Sequence, residues 1–378
     1  MSLLNVGVLG SGNFGGQIAS LAVENGFPAI AINASDQDLK LLDERVIKFI
    51  VGDGKGTGKS ADYAREFLLQ HLSFVKDEVF EEFVMQNDVI VVAASAGGGF
   101  GANTAPVLTQ ILAEMYPEKL FVTLTVYPAE DETYTAQVNT QNYMRSIIEA
   151  NVPYLVYDND KFKKLSPTEA AKKVNQNIIE DLKVLRGDYI AETNIGGIDA
   201  RDLLTTLSTP GRMIIDMINP LEESNLVDNS IVNTIRQHMN ETAHAALVDD
   251  KIIMASAVSY CVNRDLDKYT AAVKSELQNV FGVHVTDYRN EAVNPEALDS
   301  YVCTILSGLN APTTRIDRII ARKEDIDRQL NERQKAVSKL DAADTESKHT
   351  LTAKKFGSAN AAPSQDKDLD DLIKKFMK

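Results

Sequence analysis

Val6-Gly-Val-Leu-Gly10-Ser11-Gly12-Asn13-Phe14-Gly15-Gly16-Gln17 decides the fold class. A β-branched run breaks into glycines and then into an amphipathic stretch from about Gly16 to Asn25, the strand, turn and helix of a G-x-G-x-x-G phosphate fingerprint. Glycines at such a turn let the backbone approach a phosphate, and the first N–H groups of the helix carry partial positive charge. The rhythm recurs outward from this point, with strands expected at Ala29–Asn33, Val89–Ala93 and Leu120–Val126. Repeated βαβ units mean an α/β fold, a parallel-sheet nucleotide-binding domain with helices on both faces. Loops that follow its strands share the carboxyl rim, where ligands bind.

Two more glycine loops follow. Ser95-Ala-Gly97-Gly98-Gly99-Phe100-Gly101-Ala-Asn103-Thr104 leaves a strand and opens a helix, and Gly52-Asp-Gly54-Lys-Gly56-Thr-Gly58-Lys-Ser60 supplies another amide-rich segment. One dinucleotide pyrophosphate needs a single cradle, whereas three suit a nucleoside triphosphate. The run ending Gly58-Lys59-Ser60 is not a P-loop, because its first glycine position is Asp53 and no convincing strand precedes it. The alternative is an NAD(P)-dependent oxidoreductase using Gly10–Gly15, with Asp36 as ribose ligand. That chemistry wants a catalytic His or Lys near the cofactor, yet His71, His238, His244, His284 and His349 all lie outside the glycine loops.

Further along, Ser166-Pro-Thr-Glu169 reads as a helix cap, followed by apolar Ala170, Val174, Ile178, Leu182 and Leu185 up to Gly187. The spacing predicts a long helix bridging two domains. Strands at Ile252–Val258 and Tyr301–Leu306, with a helix near Tyr269–Val280, predict a smaller α/β unit closing near residue 310. Ile316, Ile320, Ile326, Leu330, Val337 and Leu340 recur at steps near 3.5 residues, which is read as a long helix lying on the body or, alternatively, seeking a coiled-coil partner. The expected organisation is 1–165 nucleotide-binding domain, 166–188 central helix, 189–312 second domain, 313–344 C-terminal helix and 345–378 disordered tail. The tail ends in an amphipathic stripe, Leu369, Leu372, Ile373, Phe376 and Met377, suited to docking on a partner.

With 39 basic against 54 acidic side chains the chain carries −15, which disfavours direct nucleic-acid binding by the body. Two cysteines, Cys261 and Cys303, form neither a disulfide framework nor a zinc spacing. No export signal is visible, and Val89–Ala94, the longest apolar run, is far below the roughly 20 residues of a bilayer span. A cytoplasmic protein is expected.

The ordered set Gly10–Gly16, Asn33-Ala-Ser-Asp36, Gly52–Gly58, Ala96-Gly-Gly-Gly-Phe-Gly101, Asp158-Asn-Asp-Lys161 and Gly197-Ile-Asp199-Ala-Arg-Asp202 resembles the tubulin/FtsZ superfamily over roughly the first 310 residues. The acidic body, long final helix and basic amphipathic tail look most like its plasmid- and phage-encoded TubZ branch. Phe100 stands where the family's glycine signature carries Thr or Ser, and Gly197 replaces the Asn of N-x-D-x-x-D.

The resemblance implies a GTPase that assembles with itself head to tail, with GTP or GDP as ligand and Mg²⁺ beside the phosphates. Gly97, Gly98, Gly99 and Gly101 would wrap the β- and γ-phosphates, with the Phe100 backbone replacing a lost hydroxyl. Gly10, Ser11, Gly12, Asn13 and Gln17 would follow the α/β-phosphates, and Asn33 and Asp36 the next loop. Asn159 and Asn177 would read guanine, since an amide donates and accepts at once. Each also has a plainer reading: Asn159 as a turn residue, Asn177 as a solvated helix position, Asn13 and Gln17 as capping or packing. Asp199 and Asp202 would enter the neighbouring subunit's pocket to complete hydrolysis, although D-x-x-D alone reads as a helix cap. The implied role is segregation or positioning of plasmid or phage DNA through an adaptor bound by the tail, with no membrane partner.

Overall fold

The computed structural model describes residues 2–58, 60–190, 197–224, 231–245, 252–262, 266, 283–293 and 300–343. The chain opens with β1 (Val6–Ser11), α1 (Gly12–Glu24), β2 (Ala29–Asn33), α2 (Asp36–Lys40), β3 (Ile47–Ile50), α3 (Ala61–Gln70) and α4 (Glu78–Gln86). It continues with β4 (Val89–Ser95), α5 (Phe100–Met115), β5 (Leu120–Tyr127), α6 (Tyr134–Ala150), β6 (Pro153–Asp158), a 3₁₀ turn (Asn159–Phe162) and α7 (Pro167–Arg186). The remainder comprises α8 (Ala200–Leu207), β7 (Gly211–Ile218), α9 (Ile231–Glu241), β8 (Ile252–Val262), β9 (Val283–Val293), β10 (Tyr301–Leu309) and α10 (Thr313–Ala343).

All ten described strands join one sheet in the order β3-β2-β1-β4-β5-β6-β7-β10-β8-β9. From β3 to β7 every neighbour is parallel, and the strands β1, β2, β4 and β6 are buried on both faces, as a helix-covered parallel sheet requires. Val8 points into the core shared with α1 and α7 while its neighbour Leu9 points into the opposite core under α3 to α6, the period-two alternation of a strand. The β6/β7 seam is short, pairing Pro153–Leu155 with Gly211–Met213, and beyond it the ladder turns antiparallel through β10 and β8. The strands expected at the second unit therefore extend the first sheet.

α7 forms as its cap foretold. Ser166 accepts from the Glu169 amide, Glu169 reaches back to Ser166, and Gly187 ends the helix at φ 85°, where a Cβ would press on Leu3. Its Val174, Ile178, Leu182 and Leu185 are buried, each worth about 1.5–3 kcal/mol of apolar burial. α10 lies on the body through buried Arg315 and Ile319 and half-buried Ile316, and Tyr134 donates from α6 to Asp327 at 2.7 Å. Leu330, assigned to the apolar seam by spacing, is 44% exposed.

Strands β3, β6, β7 and β9 were not anticipated from sequence. The helix expected at Tyr269–Val280 and the whole tail beyond Ala343 lie outside the described residues. Among those described, no helix is long and apolar enough to cross a membrane.

Candidate nucleotide-binding cleft

β1 feeds β2 on one side while β4 lies on the other, so the sheet's connections diverge between β1 and β4. A crevice opens at that point, beyond the carboxyl ends of the strands. A cleft of about 450 Å³ occupies it, walled by Ser11, Gly12, Asn13 and Phe14 of the first loop, Asn33, Ser35 and Asp38 after β2, Gly56, Thr57 and Gly58 of the second, and Ser95 with Gly98–Ala102 of the third.

The loops meet backbone to backbone. A Cβ on Gly101 would overlap the Ser11 carbonyl oxygen and stand 3.0 Å from its carbon, and one on Gly12, whose φ is +73°, would stand 2.9 Å from the Gly101 nitrogen. Glycine is therefore required at both places for the two turns to touch. Ser11 Oγ lies 2.9 Å from Thr104 Oγ1, which donates to the Phe100 carbonyl at 2.8 Å, so one buried hydroxyl pair ties the first loop to the third. Asn139 donates to Gly98 O at 2.6 Å and Asn103 to Gly99 O at 2.7 Å, turning those carbonyls away for use inside the protein.

α1 and α5 both begin at this cleft, and neither carries a side-chain cap or an acid in its first turn. By contrast α2, α4, α6, α7 and α8 are capped by Ser35, Asp77, Thr133, Ser166 and Asp199. An uncapped N-terminus leaves N–H groups wanting acceptors and a partial positive charge. Two of them aimed at one polar cleft make an anion site. A larger groove of about 740 Å³ between α1 and α7 is mainly apolar, and the helix start at its edge, Pro167, is already closed by the Ser166–Glu169 box. Its donors, such as Lys172 and the amides of Asn25, Asn175 and Gln176, are side chains, not an open helix start.

Of the residues singled out by sequence, Ser11, Gly12, Asn13, Asn33, Gly98, Gly99, Phe100 and Gly101 line the cleft. Phe100 does so through its backbone, since its ring is buried in the core. Gly10 lies beneath, packed on the Gly15 backbone, and Gly97 sits under Pro128 and Ala136. Gln17, one turn along α1, is exposed and donates to Asn13 Oδ1 at 3.2 Å. Asp36 is a correction: helical rotation in α2 turns it outward to pair with Lys40, while Asp38 faces the cleft and accepts from Asn33 Nδ2 at 3.2 Å. A carboxylate two residues past the expected one is legible only once the first helical turn is placed.

Asn159 and Asn177 do not line this cleft. Asn159 is half-buried and opens the 3₁₀ turn after β6, a turn capped by Asp158, whose Oδ1 accepts from Asp160 N at 3.1 Å. Asn177 spends its carbonyl oxygen on Ala243 N at 3.0 Å. The backbone from Asn240 to Ala245 also takes Lys161, whose ammonium donates to Asn240 O and Thr242 O, and burial pushes that lysine down to about 8. Burial raises the Asp158 carboxyl, a shift that the Arg315 guanidinium opposes.

Asp199 and Asp202 form a reciprocal capping box on α8: Asp199 accepts from Arg201 N and Asp202 N at 2.8 and 2.9 Å, and Asp202 Oδ2 accepts from Asp199 N at 3.3 Å. Asp199 is exposed and Asp202 half-buried, and each keeps one carboxylate oxygen without an intramolecular partner among the described residues. α7 separates them from the cleft. It starts just after the carboxyl end of β6 and its 20 residues span about 30 Å to Gly187, which packs on Leu3 ahead of β1 and on Leu203 of α8. The acidic turn thus sits at the opposite end of the sheet. Of the histidines on which an oxidoreductase would draw, His71 and His238 bond Phe67 O and Asp216, and His244 Nε2 stands 2.8 Å from Asp181 Oδ2, and none of the three lines the cleft. Among the described residues no group of three or more His, Cys, Asp or Glu could hold a metal on its own.

Residues 5–167 match the Tubulin/FtsZ family, GTPase domain. The tubulin-like protein CetZ of Pyrococcus abyssi is 29% identical over 217 residues, 54% of this chain and 58% of that protein, so the chain aligns with little more than half the length of such curated relatives. Among solved structures, CetZ from Methanosaeta thermophila superposes with a TM-score of 0.72 at 18% identity, covering 90% of this chain and 96% of that one. A GTPγS-form protofilament of Bacillus thuringiensis serovar israelensis TubZ gives 0.71 at 17%, covering 89% and 95%. Both CetZ and TubZ share the fold, so the TubZ branch is not singled out, and the oxidoreductase alternative finds no support. The sequence match lies over the strands and loops that build the cleft: it is this part of the chain, residues 5–167, that is similar to the Tubulin/FtsZ family GTPase domain.

Proposed function

We propose that this chain binds and hydrolyses GTP and assembles head to tail into filaments. The convergence of two uncapped helix starts, α1 and α5, on one cleft at the strand divergence carries the reading. Amides of Gly12–Asn13 and Gly99–Gly101 take the triphosphate, with Gly98 and the Gly56–Gly58 loop closing around it. Asn159 and Asn177 are the candidates for reading the base; Asn177 has its oxygen held by Ala243 N, which leaves its amide N–H group to donate to guanine.

Among the described residues Asp38 is the one charged side chain on the cleft wall, and a carboxylate facing an anion site calls for a bridging cation. Mg²⁺ fits, since it takes most of its ligands from phosphate oxygens and water and needs only one or two carboxylates; it would neutralise phosphate charge there.

Hydrolysis needs a water oriented toward the γ-phosphate, a task for carboxylates, and the candidates Asp199 and Asp202 stand about 30 Å off at the far end of α7. Their free oxygens serve the next subunit's cleft. One face meets a different face in this contact, which does not close and therefore propagates. The similarity to a TubZ protofilament of the same fold supports this geometry. A tail-bound adaptor linking the filament to plasmid or phage DNA completes the proposal.

Specific GTPase activity measured across a range of protein concentrations, with light scattering in GTP and in NAD, tests it. Activity per molecule rising steeply, with scattering in GTP alone, is expected; turnover per molecule independent of concentration would refute the shared site.

A further inference from the structure

Two segments follow the carboxyl ends of β5 and β6, on the rim of the sheet that carries the cleft. Pro128, which opens the β5–α6 connection, backs the glycine loop: a Cβ on Gly97 would touch its ring at 3.3 Å. The other segment is the 3₁₀ turn Asn159–Phe162 that follows Asp158. Arg318 of α10 touches both from the half-exposed side, at Glu130 and Asp160, and a buried residue from the first turn of α10 holds both from within. Arg315 is 3% exposed; its Nε donates to Asp158 Oδ1 and Oδ2 at 3.1 and 3.0 Å, and its Nη2 donates to Pro128 O at 2.6 Å. Asp158 in turn caps the turn through Asp160 N.

Stability alone is a poor reason for this arrangement. Arg315 Nη1 is buried without a hydrogen bond, 3.9 Å from Glu130 Oε1, and burying a guanidinium with an idle donor costs free energy that an apolar residue would not. What a planar, rigid fork does supply is a fixed distance between the groups it bonds.

We propose that Arg315 is a positioning residue for nucleotide recognition, locking the Pro128 backing of the glycine loop to the Asn159 turn so that the phosphate and base ends of the cleft keep one spacing. The proposal rests on reading the cleft as a GTP site. It also makes the start of α10 part of that site, about 150 residues after the turn it holds.

Calorimetric binding of GTP and of ITP, which lacks the guanine 2-amino group, to the full chain tests it. Wild type should prefer GTP. Arg315→Lys keeps the charge but cannot bridge both partners; GTP affinity should fall about tenfold and the GTP-to-ITP preference should shrink. Arg322→Ala, a half-exposed α10 residue whose ion pair with Asp325 stays within the helix, should leave the preference unchanged. Equal losses for both nucleotides in Arg315→Lys, with the preference intact, would overturn the positioning role while leaving the GTP reading standing. No GTP binding by wild type would overturn that reading itself. Should Arg315→Lys not fold, Asp158→Asn, which weakens the same pair but can still cap the turn, is read by the same ratio.

Discussion

Gly101→Ala separates a steric role of the third glycine loop from intrinsic helix preference. Gly101 is the second residue of α5, where alanine alone would stabilise the helix by up to about 1 kcal/mol. The added methyl, however, overlaps the Ser11 carbonyl oxygen, a backbone atom that no rotamer change can move, so the two loops must part by about 1 Å. Overpacking of this kind costs about 1–3 kcal/mol, so the net should be a loss of about 1–2 kcal/mol in urea unfolding. Parting the loops also misaims the α1 amides relative to the α5 amides. If two charge-assisted hydrogen bonds to the triphosphate each lose about 1.5 kcal/mol, GTP affinity falls by about 100-fold. Gly98→Ala is the counterpart: its Cβ meets nothing nearer than Ser95 O at 3.5 Å, so folding stability should hold while nucleotide binding responds. A Gly101→Ala chain as stable as wild type, with unchanged GTP affinity, would refute the contact between the loops.

Thr104→Val removes the hydroxyl joining Ser11 to the Phe100 carbonyl and should cost about 1–2 kcal/mol in unfolding, with weaker GTP binding; a neutral effect on both would show that the loops hold without it. Asp202→Ala should bind GTP normally yet keep it unhydrolysed in persistent polymers, losing about 1 kcal/mol of helix capping; normal GTP turnover in those polymers would contradict the assignment. Lys161 sits at about 8, below its ordinary value, because burial disfavours the ammonium. The folded state therefore binds fewer protons than the unfolded state between about pH 8 and 10.5, and stability gains with pH across that window. Wild type should improve against Lys161→Met as pH rises from 8 to 10 in parallel urea titrations; a constant difference would place that lysine in solvent.

Legibility in the sequence followed the locality of the physics. α7 was readable end to end, because Ser166, Pro167, Glu169 and Gly187 are cap chemistry that needs no tertiary partner. The parallel strands β1, β2, β4 and β5 declared themselves by β-branched runs, whereas β6 and β7 carry Pro153, Tyr154, Gly211 and Arg212 at their seam and owe their pairing to the sheet already formed. Arg212 is wholly buried on carbonyls from Ala245 and Asn310, a burial that no local pattern predicts. In the cleft, the glycines were found by spacing, but the carboxylate was misplaced at Asp36 because a five-residue helix sets which acid turns inward. Arg315 was invisible for a related reason: it stands in a solvated-looking helix and earns its burial only against Asp158, far upstream.

The shared active site is tested most directly by mixing two inactive chains. One carries Asp199→Ala and Asp202→Ala and retains GTP binding; the other carries Gly98→Phe, chosen to fill the cleft, and retains its acidic turn. GTP hydrolysis restored in the mixture, though absent from either chain alone, is the predicted result. A mixture as inactive as its components, while copolymers form, would contradict hydrolysis across the subunit boundary.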